Sequence, residues 1–220
     1  MAVVGDRVLG RFQQGLQRLY DLEIEHAVQD FLITDRKLAC ILAPDAPHAG
    51  APERLLVAER EDSLDLSLFL DESLLRQLQE DDPDRRLHSG NLQPYLQVLE
   101  GVSHFLYLAW NASRDRSVTM LELELQAEID KFVSSLLLFS SQHGSAPERL
   151  HACLFDNPAY DEALDERTRA RYRDANRYAA RYCMHLLRQL GHYRFGALLG
   201  ELRRFYRLPQ PRKLALIEAL

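Results

Sequence analysis

Between residues 121 and 139, Leu121, Leu125, Ile129, Phe132, Val133, Leu136 and Phe139 recur every three or four positions. At about 100° of rotation per residue they fall within an arc of about 120°, the width of an apolar helix face. The segment opens as "LELEL", which alternates like a strand, but the alternation ends at Leu125 and cannot account for residues 126–139. The spacing therefore predicts a long helix over 117–142. Such a helix must bury its stripe, so the chain has to supply partners for it.

The preceding segment, "NLQPYLQVLEGVSHFLYLAWN", supplies one. Its apolar positions cover about 200° of a helix over 91–112, which predicts burial on most sides. A narrow polar stripe remains: Gln93, Gln97, Glu100, His104 and Asn111. The short link "SRDRSV" predicts that the two helices fold back as an antiparallel hairpin. Across that hairpin Glu122 projects between Ile129 and Val133, inside the apolar stripe, where a carboxylate needs partners. Glu124, Glu128 and Lys131 project to the opposite flank and read as an exposed charged ridge.

Glu100, His104, Asn111 and Glu122 are thus the candidate polar pocket. Di-iron bundles use a Glu-x-x-His pair on facing helices. Here the spacing is Glu-x-x-x-His and no second copy exists, so no catalytic residue, metal or cofactor is assigned. The plainer alternative makes Glu100–His104 a surface pair. Glu122 is then tied to an arginine such as Arg116, or serves the first helical turn.

Elsewhere, residues 6–20 read as an amphipathic helix through Val8, Leu9, Phe12, Leu16 and Leu19. "EHAVQDFLI" at 25–33 reads as a strand, and "TDRKLACIL" as a short helix capped by Thr34 or Asp35. "APDAPHAGAP" at 43–52 is a loop. Within "ERLLVAEREDSLDLSLFLD", Leu64, Leu66, Leu68 and Leu70 share one face of a β-hairpin at about 54–70 turned by "EDS". "ESLLRQLQ" is helical, and the polar break at 80–91 marks the one expected boundary. Further helices are expected over 146–155, 161–190, 192–206 and 211–219, with Gly191 stopping the longest. The fold class is mainly α: a small α+β portion at 1–85 with an antiparallel hairpin, then a helical bundle at 91–220. The two stretches could also form one continuous domain.

Charge is distributed unevenly. Residues 166–220 carry 13 Lys+Arg against 4 Asp+Glu, a balance of +9, and residues 1–165 carry 14 against 29, a balance of −15. The last long helix turns Arg173, Arg177, Arg181 and Arg188 to one side, away from a face of Tyr, Ala and Leu that includes Asn176. That row is the candidate contact for an anion or a partner. Its tyrosines lie on the core side, which argues against a base-stacking platform. Arginine outnumbers lysine 24 to 3, so part of the row reflects composition.

Cys40, Cys153 and Cys183 lie far apart with no CxxC pair, and read as reduced, buried apolar residues. No apolar run approaches the roughly 18 residues of a membrane span. The start "MAVVGDRVLG" shows neither a secretory nor a lipidation pattern, so a cytoplasmic location is expected and no membrane partner. With no nucleophile or P-loop motif, the leading expectation is a soluble, non-enzymatic regulatory or accessory protein. It would act through a protein partner or self-association. Nucleic-acid binding by the arginine row is one alternative. A metal-dependent enzyme with a Glu/His site between helices 91–112 and 117–142 is the other.

Overall fold

The computed structural model describes residues 6–44, 50–60, 63–160, 164–190 and 195–220. The chain is 66% helical, with nine α-helices and a small three-stranded mixed sheet among the described residues. It divides into two compact units, one of residues 1–15 and 23–117, the other of 16–22 and 118–220. Among the described residues, no helix is long and apolar enough to cross a membrane.

The first unit begins with most of helix α1 (Asp6–Tyr20), whose predicted apolar positions Val8, Leu9 and Phe12 are all buried. The expected strand at 25–33 is largely replaced. Val28–Phe31 winds into a 3-10 turn and only Leu32–Ile33 extends, as β1. The cause is local: Gln13 accepts from the Val28 N–H at 2.8 Å and donates to the His26 carbonyl at 2.8 Å. Those backbone groups are therefore satisfied without a neighbouring strand.

Helix α2 (Arg36–Leu42) comes next, capped by Asp35, which accepts from the N–H groups of Lys37 and Leu38. Strands β2 (Glu53–Arg60) and β3 (Ser63–Leu70) form the expected antiparallel hairpin; residues 61–62 of its turn, and 45–49 of the preceding loop, lie outside the described residues. β1 adds in parallel on the other side of β3, giving the order β1-β3-β2.

The two faces of this sheet have different coverings. On one, Leu68 pairs with Leu55 and Leu70 with Glu53, and helix α4 (Leu92–Ala112) crosses them. Gly101 permits the crossing, since a Cβ there would stand 2.8 Å from Leu68 Cδ1 and 2.9 Å from Glu53 Cγ. On the other face Leu56 and Phe69 pack with Ala39 of α2. Helix α3 (Glu72–Glu80) starts at Asp71, whose carboxylate accepts from Ser73 and also pairs with Arg36.

The second unit gathers around α5 (Met120–His143). Thr119 caps its start and Gly144, at φ +77°, closes it in the left-handed conformation that glycine adopts freely. α6 (Leu150–Phe155) and the long α7 (Glu166–Leu190) pack on α5, and α8 (Phe195–Tyr206) and α9 (Gln210–Glu218) pack on α7. Gly191, the expected stop of α7, lies outside the described residues.

Candidate functional site

The predicted pocket residues all sit on the helices expected to carry them. In the first unit, α4 holds Glu100 half-buried and His104 buried, with ligating atoms within 4.8 Å of each other. His104 Nδ1 also lies 3.7 Å from Glu53 Oε1, so strand β2 brings a second carboxylate to the imidazole. Asn111 is spent on its own helix, its amide donating to the Tyr107 carbonyl at 2.8 Å. In the second unit Glu122 is buried, and its backbone N–H donates to Thr119 Oγ1 at 3.1 Å.

The exposed charged ridge expected on the flank of α5 opposite Glu122 is corrected. Glu124 is buried, and the Glu128–Lys131 ion pair, at 2.8 Å, is largely covered. One apolar stripe does not describe α5. Leu123 and Ala127, off the stripe, are as buried as Ile129 and Phe132, so the helix is enclosed around nearly its whole circumference. Polar residues on every side are enclosed with it.

That enclosure creates a cluster which periodicity missed. Lys213 of α9 is fully buried, and its ammonium donates to Gln126 Oε1 at 2.8 Å. The Gln126 amide donates to Asp130 Oδ1 at 2.8 Å, and the Tyr20 hydroxyl donates to the same oxygen at 2.5 Å. The ammonium also faces the rings of Phe205 and Tyr206 at 5.1 and 5.8 Å, and Tyr206 stacks on Tyr20 at 4.2 Å. Burial, and then Asp130, push the Tyr20 phenol well above its ordinary range. With its members buried, the cluster ties α1, α5, α8 and α9 together. One sign of it was present in the sequence: one of only three lysines, against 24 arginines, stands at 213, four residues before the buried Ile217.

The arginine row is on the surface. Arg173, Arg177, Arg181 and Arg188 are all exposed along α7. Two hold carboxylates of their own helix, Arg173 with Glu166 and Arg177 with Asp174. Arg181 donates to the Glu218 carbonyl. Asn176, expected to need a partner, donates to the Phe155 carbonyl at 3.1 Å. The cysteines do not behave alike: Cys183 is buried, Cys40 half-buried and Cys153 exposed, so the expectation of three buried thiols fails at Cys153. α6 has only two turns and buries Leu150 and Phe155, leaving Cys153 on its outer side.

A second surface feature is invisible to periodicity because α2 is too short to show a repeat. The large apolar side chains exposed among the described residues are Leu38, Ile41, Leu42, Val57, Met120 and Leu220. Three of these stand at i, i+3 and i+4 on α2, Ile41 being 74% exposed. Neighbours at that spacing form a single patch. Comparison with known proteins adds no relative: no family model, no curated protein and no solved structure matches the chain.

Proposed function

We propose that this chain is a cytoplasmic, non-enzymatic accessory or regulatory protein that works by binding another protein, with the outer face of α2 as its contact. The exposed Leu38–Ile41–Leu42 patch carries this reading, because isolated apolar side chains on a surface are ordinary but a cluster on one helix is not. Three side chains fall well short of the roughly 800 Å² per partner of a standard interface. The contact is therefore a short helix laid into a partner's groove, read through its i, i+3, i+4 anchors. A photo-crosslinking residue at position 41, introduced in the native host, should give a discrete protein adduct. The same residue at 188 should not. Adducts that are absent, or identical at the two positions, defeat the proposal.

A second reading rests on the exposure of all four α7 arginines, which suits a phosphate backbone. The carboxylates already held by Arg173 and Arg177 weigh against it.

A further inference from the structure

The inner side of α2, facing the sheet, carries a different chemistry. Arg54 lies on β2 directly opposite Phe69 of β3, so both side chains rise from the face that α2 covers. Its guanidinium carbon stands 5.1 Å from the centre of the Phe69 ring, and Arg36 of α2 approaches the same ring at the same distance. Two cations thus share one aromatic ring.

Their surroundings separate them. Arg36 is neutralised, with Nη2 on Asp71 Oδ2 at 2.9 Å and Nη1 donating to the Ala51 carbonyl at 3.2 Å. Arg54 is 7% exposed, and its one polar contact among the described residues is a weak bond from Nη2 to the Cys40 sulfur at 3.9 Å. Its Nε and Nη1 are buried and make no hydrogen bond to any described residue. A charged group taken from water in this way is costly until an anion meets it. The planar donor fork fits the paired oxygens of a carboxylate or phosphate. Cys40, Ala51 and Pro52 are half-buried, so solvent reaches the rim of the cluster.

We propose that the Arg54 guanidinium binds one small oxyanion, phosphate or carboxylate, at the half-buried Cys40 edge of the packed α2–sheet interface, beside the Cys40 thiol. The site is independent of the protein contact on the outer face of the same helix.

Cys40 provides the readout, and the exposed Cys153 of the other unit an internal reference. The buried Cys183, whose thiol is pushed up by burial, should stay silent. The native full-length protein is treated with iodoacetate or iodoacetamide and the labelled peptides are quantified by mass spectrometry. In each alkylation the sulfur forms a bond to the reagent's methylene carbon, iodide leaves, and the thiol proton goes to solvent. Anion docking should raise the iodoacetate-to-iodoacetamide rate ratio at Cys40 about fivefold or more over that at Cys153. Inorganic phosphate should slow labelling at Cys40 and leave Cys153 unchanged. Stronger protection by glycerol phosphate would identify the anion as a group on an organic ligand, and equal protection a free ion. Acetate protecting better than either would identify a carboxylate. R54Q and R54K should both erase protection and rate preference, while the wild-type protection experiment stands without any variant. Equal rate ratios at the two cysteines, absence of protection by all three anions, or protection undiminished in both variants overturns the proposal.

Discussion

Lys213 has no exposure to water, and one of the residues that meet its ammonium is uncharged. Gln126 accepts from the ammonium with its oxygen and donates to Asp130 with its nitrogen, so one neutral amide links a cation to an anion. Gln126→Leu fills similar volume but removes one hydrogen bond from each buried charge. We expect a loss of about 2–4 kcal/mol in urea denaturation, with the slope of the transition unchanged. Tyr20→Phe keeps the stack on Tyr206 and deletes the hydroxyl that donates to Asp130 and accepts from the Gln126 amide at 3.3 Å; the expected loss is about 1.5–3 kcal/mol. The same phenol carries a pH dependence. An unfolded chain ionises it near pH 10, whereas the folded chain holds the proton to a much higher pH. Its contribution is therefore complete below about pH 10 and drains away as pH rises further. The Tyr20→Phe variant should show a shallower alkaline decline than wild type when urea midpoints are compared between pH 9 and 11.

Elements were legible wherever a period ran long enough. α1, α4, α5 and α7 follow from apolar spacing, and the β2–β3 face of Leu64, Leu66, Leu68 and Leu70 follows from alternation. β1 did not, because two residues contain no period and the residues just before it are held out of a strand by the Gln13 side chain of α1. Glu124 was misplaced for the opposite reason: a period identifies one face, and α5 has no free face to contrast with it.

Two contacts between elements can be tested directly. Gly101→Val forces side-chain atoms into Leu68 and Glu53, which should cost about 1–3 kcal/mol by overpacking, read from the denaturation midpoint. At the end of α1, Arg203 donates to the carbonyls of Arg18 and Leu19, and Arg207 to those of Tyr20 and Asp21. Cations at that position satisfy the last carbonyls and oppose the helix dipole. Arg207→Ala should lose about 1 kcal/mol and speed amide exchange over residues 19–22 without affecting α7.

At the scale of the molecule, the sequence showed the charge split but not where its charges are spent. All four acidic residues of the basic segment are engaged within it: Glu166 with Arg173, Asp174 with Arg177, Glu201 with His185, and Glu218 with the Tyr178 hydroxyl. Arg203 and Arg207 are spent on main-chain carbonyls. Less of the +9 balance is therefore free to meet a polyanion than composition implies. If the α7 row binds duplex DNA, it can neutralise at most four phosphates. The plot of log affinity against log salt can then be no steeper than about −3.6. With Arg173 and Arg177 keeping their carboxylates, it should fall nearer about −1.8. Fluorescence anisotropy with a labelled duplex across a salt series measures this slope. Arg181 and Arg188 have no carboxylate partner among the described residues, so the double variant R181E/R188E should remove most of the remaining dependence. A slope well beyond about −3.6 that survives this substitution would move the anion contact off α7. It would then have to fall on cations that the fold leaves exposed elsewhere, such as Arg204 and Arg212.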